Sequence, residues 1–242
     1  AWHTACQGMS RSGKSVLTYA ALAPLAPRRD VIVCGVDPTG ILLGVWKDHP
    51  GSQFRAWGSQ DSEQAAQALD ALCAEMDRRI EWLVENGRDK LGEPSRELPL
   101  LVVVMEEYPG TLSLAEAQDA AEGRKPAERL HGRIKRSVLR LVQEGAKAGV
   151  RLFIVAQRAD ASILDGAARS NLGTRITMRV DNRDAVTMLH PMAPPDRVDA
   201  VTKMKPGIGI IERPGEPLVM FKADLLDYAG YVAAVRAGAQ VS

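Results

Sequence analysis

Short apolar runs of strand length recur along the chain and alternate with longer amphipathic stretches. The runs are His3–Gln7, Val31–Val36, Leu100–Met105, Arg151–Ala156, Arg175–Val180, Gly209–Glu212 and Leu218–Lys222. Pro214-Gly215 separates the last two and predicts a hairpin turn. Between the earlier runs the apolar period lengthens to that of a helix. Ser15–Leu25 is one such stretch, and Arg129–Ala148, bounded by Gly149, is another. Glu63–Asn86 is longer, with Ala65, Leu69, Leu72, Met76, Ile80 and Leu83 on one face and Gly87 where the helix should stop. This alternation predicts an α/β fold: a mostly parallel sheet with right-handed crossovers, flanked by helices and closed by a C-terminal β-hairpin. Leu112–Pro126 and Pro191–Pro206, the latter with four prolines, show little pattern and are expected to be irregular. With no repeat, low-complexity tract or boundary, residues 1–242 are expected to form one domain.

Composition narrows the picture. A chain of 242 residues with 45% hydrophobic content suffices for one sizeable core. A formal net charge of +1 lacks the basic excess that advertises non-specific nucleic-acid binding. Any DNA contact must then come from local clusters or from several copies together. Cys6, Cys34 and Cys73 are odd in number and far apart, which suits reduced, buried thiols of a cytoplasmic protein better than a metal site. The longest apolar run, Leu100–Met105, falls far short of the roughly 20 residues of a membrane span. The sequence shows no signal peptide and opens without Met only a few residues before its first motif. A piece of a longer protein, with no membrane contact of its own, is expected.

That motif is Gly8-Met9-Ser10-Arg11-Ser12-Gly13-Lys14-Ser15, which satisfies the Walker A pattern with a predicted strand before it and a helix after it. Glycines let the backbone curl so that successive N–H groups point inward at phosphate oxygens, and the helix N-terminus adds partial positive charge. The nucleotide contacts expected are Ser10, Arg11, Ser12, Gly13, Lys14, Ser15 and Val16. Lys14 would reach the β and γ phosphates of ATP, and the Ser15 hydroxyl would hold Mg²⁺.

The Leu100–Met105 run ends in Glu106-Glu107. The first acid suits Mg²⁺ and the second suits polarisation of an attacking water; the alternative is two solvated acids at a strand end. Gln157-Arg158 closes the Arg151–Ala156 run, where Gln157 either senses a γ-phosphate or caps the strand. Arg169, Arg175 and Arg179 supply either an arginine finger for a neighbouring subunit or ordinary surface ion pairs. His3, His49, His131 and His190 share no ligand or triad spacing, and Asp37-Pro38 reads as a turn without derivable chemistry.

Taken with Val36-Asp37-Pro38, Glu75-Met76-Asp77-Arg78-Arg79, Val103-Val104-Met105-Glu106-Glu107-Tyr108, Gly149–Arg158, Asn171-Leu172-Gly173-Thr174-Arg175-Ile176 and Lys205-Pro206-Gly207-Ile208-Gly209, the sequence resembles the motor domain of the FtsK/SpoIIIE family of DNA translocases over nearly its whole length. Within that family it looks most like the Tra transfer proteins of actinobacterial conjugative elements. The resemblance implies a RecA-like P-loop NTPase core with the Gln157 strand between the phosphate-loop strand and the Glu106 strand. It further implies hydrolysis of ATP with Mg²⁺, a hexameric ring around double-stranded DNA, Gln157 beside the γ-phosphate and Arg175 acting in trans. Leu112–Pro126 and Arg158–Ser170 fall where pore loops are expected, which makes Arg124, Lys125 and Arg169 candidate phosphate contacts. The chain departs from the family in carrying Glu106 where Asp is usual, which puts the Mg²⁺ geometry in question. The family's membrane helices and winged-helix DNA reader have no counterpart in this sequence; in the whole protein such helices would place the motor at the inner face of the membrane or septum. Rival expectations are a protein-translocating ATPase of the type VII secretion kind and a low-activity scaffold assembled under ATP control.

Overall fold

Along the apolar run that begins at Leu100, side chains alternate between two cores. Leu101, Val103 and Met105 enter one, Val102 and Val104 the other, so the strand is apolar throughout because both faces are buried. The computed structural model describes residues 2–58, 61–158 and 170–241. Its elements, in order, are β1 (Thr4–Gln7), α1 (Lys14–Leu22), β2 (Val31–Asp37), β3 (Arg55–Trp57), α2 (Ser62–Glu85), β4 (Leu100–Glu106), α3 (Tyr108–Ala121), α4 (Leu130–Glu144), β5 (Val150–Ala156), β6 (Thr174–Met178), α5 (Arg183–Leu189), α6 (Pro195–Thr202), β7 (Ile208–Glu212), β8 (Val219–Lys222) and α7 (Tyr228–Val241).

These form one 8-stranded sheet in the order β3-β2-β4-β5-β1-β6-β7-β8. All pairings are parallel except β6–β7 and β7–β8. As the resemblance implies, β5 lies between β1 and β4. Helices α2, α3 and α4 bury their apolar faces on one side of the sheet, and α1 and α7 on the other. A smaller core gathers Val186 of α5, Val198 and Val201 of α6, and Ile210 of β7.

Helix α2 buries Ala65, Leu69, Leu72, Met76 and Leu83, as its period predicts. It ends with the Gly87 N–H on the Val84 carbonyl (3.2 Å) and the Arg88 N–H on the Leu83 carbonyl (2.8 Å), a Schellman arrangement that needs the left-handed φ of 60° at Gly87. Arg79 of this helix is buried and serves the fold. Its guanidinium donates to Glu75 Oε1 (2.7 Å), Pro99 O (2.8 Å) and Ala148 O (3.0 Å), tying α2 to the segments that enter β4 and β5. Arg79→Ala strands both carbonyls, while Glu75 keeps its pair with Arg78 (2.7 Å), and is expected to cost about 3 kcal/mol. A thermal melt should show a midpoint roughly 6–12 °C lower; an unchanged midpoint would contradict this role.

The fold corrects several expectations. Leu112–Pro126 is mostly helical, within α3. Tyr108, Thr111, Leu112, Ala115 and Asp119 form its buried face, and the inward acid obscured the period. Asp119 faces inward because its carboxylate accepts from the Leu130 and His131 backbone N–H groups (2.8 and 3.0 Å), capping the start of α4. The proline-rich Pro191–Pro206 stretch contains α6, which tolerates Pro195 because the first helical position has no N–H partner to lose. Helix α4 stops at Glu144 rather than Ala148. Neither α7 nor the three-residue β3 was anticipated. The first is anchored by Tyr231, which stacks on Tyr19 (4.6 Å between centroids), accepts from Trp46 Nε1 (2.6 Å) and donates to the Leu42 carbonyl (2.9 Å).

Candidate nucleotide site

Parallel register brings the predicted residues to one edge of the sheet. Val36 pairs with Met105, Glu106 with Val155, and Gln7 with Ala156. Hence Asp37, Glu106, Gln157 and the start of the phosphate loop all leave the carboxyl ends of neighbouring strands, where parallel α/β sheets place their ligands.

The loop from Gly8 to Gly13 is fixed on three sides. Gly8 N–H donates to Ala156 O (3.3 Å), Met9 N–H to Arg179 O (2.9 Å), and Gly207 N–H to Ser12 O (2.8 Å). Gly13 has φ of 104°, and a Cβ there would lie 2.7 Å from the Gly207 nitrogen, so glycine is required both by conformation and by contact. The Lys205–Gly209 turn is thereby a wall of the loop. Arg11 adopts φ of 62°, an unusual conformation for a side chain-bearing residue. Ser12 is buried and its N–H donates to Met9 O (3.2 Å), so it shapes the loop from within. Ser10, Arg11 and Ser15 are exposed; Val16 is half-buried.

Lys14 opens α1 and folds back over the loop, its Nζ donating to the carbonyls of Gly8 and Met9. Burial pulls its pKa down, while Cys6, Glu107 and Glu106 hold it up. Lys14, Ser15, Thr18 and Glu106 line a cavity of about 140 Å³, closed on other sides by Tyr19, Thr39, Ile41, Leu42 and Val155. Glu106 Oε2 is buried without a hydrogen-bond partner. An orphaned carboxylate oxygen beside a serine hydroxyl and a lysine is a donor set that fits a hard divalent cation bound with phosphate. Glu107 follows at φ of 45° as the residue before α3. This left-handed turn separates its side chain from that of Glu106 and leaves it partly exposed. Gln157 is exposed at the tip of β5.

Asp37 belongs to the site although the sequence suggested only a turn. It is fully buried. One oxygen accepts from Thr39 N and Oγ1 (3.0 and 2.8 Å), the other from the Leu42 and Leu43 N–H groups (2.8 and 2.9 Å). It shapes the Thr39–Leu42 wall and places a carboxylate next to Glu106. The signal available was an acid at the end of a fully apolar strand; that this strand borders the one ending in Glu106 is seen only in the fold. Burial, then Asp37, then Glu107 push the Glu106 carboxyl up to about 7, with Lys14 opposing.

A pH-dependent stability follows from that shift. Above an unfolded value of about 4.5 the native state holds a proton that the unfolded state releases. The contribution of this group to stability therefore falls as pH rises from about 4.5 to 7 and stays low above that, by about 3 kcal/mol in full. Glu106→Gln removes the deficit. Its melting midpoint is expected to exceed that of the parent by roughly 5–10 °C at pH 8 and to match it at pH 4.5; a lower midpoint at pH 8 would refute the strain assigned to this carboxylate.

The remaining predicted residues are dispersed. Arg175 lies in β6, on the other side of β1 from β5, half-buried. Arg124 is tied by Glu122 (2.7 Å) and Glu63 (3.4 Å), so it already bridges α2 and the end of α3; Lys125 beside it is exposed. Arg169, and most of the segment expected as a second pore loop, lie outside the described residues. No described helix is long and apolar enough to cross a membrane.

No protein-family model matches the chain. It is 25% identical over 205 residues to the DNA translocase SpoIIIE of Bacillus subtilis, a match covering 77% of this chain and 24% of that protein. The chain thus spans about a quarter of the length of the curated relatives it matches. Among solved structures, the pCW3 conjugation coupling protein TcpA, in its monomer form with ATPγS, superposes with a TM-score of 0.74 at 21% identity, covering 97% of this chain and 64% of that one. EssC ATPases 2 and 3 from Geobacillus thermodenitrificans superpose at 0.68 with 17% identity, covering 99% and 43%. Sequence and fold point the same way: the chain is similar in sequence to the FtsK/SpoIIIE DNA translocases and has the fold of the conjugation coupling protein and secretion ATPases on which it superposes.

Proposed function

We propose that this domain hydrolyses ATP to drive double-stranded DNA through a hexameric ring, in conjugative transfer or chromosome segregation. The observation that carries the reading is the convergence of Lys14, Ser15, Glu106, Glu107 and Gln157 on one edge of the sheet around a rigid phosphate loop. Loop N–H groups and Lys14 hold the phosphates, and Ser15 and Glu106 hold Mg²⁺. Held by Ser15 and Glu106, the ion would supply positive charge to offset that of the phosphates. Glu107 takes a proton from the attacking water, and Gln157 orients that water against the γ-phosphate. Arg175 enters the neighbouring subunit's site. Lys125 and Arg169 grip DNA phosphates, and because the chain is nearly neutral, grip depends on several subunits at once. The domain works in the cytoplasm; in the whole protein it stands at the inner face of the membrane or septum.

DNA is favoured over a polypeptide as cargo because the sequence match is to DNA translocases, whereas the secretion ATPases share the fold at lower identity. A duplex carrying a bound third strand tests this. ATP-dependent displacement of the third strand by the parent and not by Lys14→Ala supports DNA translocation. Hydrolysis stimulated by a secreted polypeptide, with no displacement, would assign the domain to protein transport instead.

A further inference from the structure

A line of buried polar groups leads away from the foot of the phosphate loop. Gln7 ends β1 directly before Gly8, and its Nε2 donates to Thr177 Oγ1 (3.0 Å) and Ala185 O (2.6 Å). Thr177 Oγ1 lies 2.9 Å from His190 Nε2, and His190 Nδ1 lies 2.8 Å from Glu212 Oε2. The side chains of Gln7, Thr177 and His190 are completely buried. The same Glu212 oxygen is 4.0 Å from a terminal nitrogen of Arg175, and the two residues are register partners across β6 and β7. Arg175 and Thr177 are two apart on β6 and so share one face of the strand.

With His190 neutral, hydrogen placement along the line has one consistent direction. The Gln7 amide nitrogen can only donate, so Thr177 receives it and passes its own hydrogen to His190 Nε2. That nitrogen is then the bare one, and Nδ1–H donates to the Glu212 carboxylate. A neutral imidazole satisfies every partner, in agreement with the burial that lowers the His190 pKa. Buried polar groups this well matched hold one geometry and oppose others. What they hold at the outer end is the Glu212 carboxylate beside Arg175. A contact of 4.0 Å at a partly exposed pair contributes little to stability, so its effect is on where the guanidinium points, together with the bond from Arg175 Nε to Leu172 O (3.3 Å).

We propose that Glu212, oriented by His190, is a positioning residue for Arg175, and that the Gln7–Thr177–His190–Glu212 line ties each subunit's phosphate loop to the arginine it offers its neighbour. This rests on Arg175 acting in trans.

The test uses the assembled protein with DNA. Glu212→Gln is expected to lower kcat about 10- to 100-fold, with ATP affinity and melting midpoint unchanged; Glu212→Asp should show a smaller loss. Mixing then separates the roles. Glu212→Gln combined with Lys14→Ala should regain activity, because the first supplies an intact loop and the second an intact arginine. Glu212→Gln combined with Arg175→Ala should regain none. Recovery of that last mixture, or loss of ATP affinity in Glu212→Gln alone, would place Glu212 in its own subunit's site and overturn the proposal. Arg175→Ala mixed with Lys14→Ala is the control: its recovery establishes action in trans, and its failure removes the underlying reading and this proposal with it.

Discussion

Lys14→Ala is expected to abolish ATP hydrolysis, lowering kcat by about 10³-fold or more. Two effects combine. The mutation removes the cation that would follow charge onto the γ-phosphate during transfer. It also removes the one side-chain cation that, among the described residues, lines the Glu106 cavity and offsets the carboxylates of Glu106 and Glu107. A triphosphate would then keep the loop N–H groups but meet the Glu106 and Glu107 carboxylates without a side-chain cation to offset them, so nucleotide affinity should fall together with turnover. The fold should be unaffected, because Lys14 donates only to carbonyls of its own loop. Steady-state hydrolysis and a nucleotide-binding titration check both parts. Turnover within a few-fold of the parent would mean that the phosphates do not sit where the loop indicates.

Glu107→Gln should separate binding from chemistry. Glu107 is positioned by a left-handed backbone turn, and the Thr111 N–H closes on its carbonyl at 3.1 Å, so the carboxylate is aimed by the first turn of α3. A glutamine preserves shape and polarity but cannot take a proton. Hydrolysis is expected to fall about 10²- to 10³-fold while ATP affinity is retained or improved, since one negative charge leaves the site. Loss of ATP binding would assign Glu107 a structural role. Equal losses in Glu106→Gln and Glu107→Gln, in both binding and turnover, would argue against dividing their labour between metal and water.

Much of this site was legible because its chemistry is local in sequence. Gly8 to Ser15 carries its own geometry, and the acids after Met105 mark a strand end without any tertiary knowledge. Placing Gln157 beside them needed the strand order, which came from family resemblance and not from periodicity. Asp37 was missed for the same reason: nothing in Asp37-Pro38 shows that β2 borders β4. Helix α3 was missed because Asp119 turns inward to cap another helix, a tertiary demand that breaks the apolar stripe. The His190 line was invisible because its members, Gln7, Thr177, His190 and Glu212, come from four separate elements or their ends. Conversely, the Glu75–Arg79 motif supported the resemblance, yet Arg79 proves to be a brace between α2 and the entrances to β4 and β5.

The most direct test of the central claim is steady-state ATP hydrolysis by this chain at low salt, with and without long double-stranded DNA, across a range of protein concentrations. The account predicts strong stimulation by DNA that rises more steeply than linearly with protein, because each complete site needs a neighbour's Arg175. Hydrolysis that is weak, indifferent to DNA and strictly proportional to protein, in this chain and in the full-length protein alike, would contradict it.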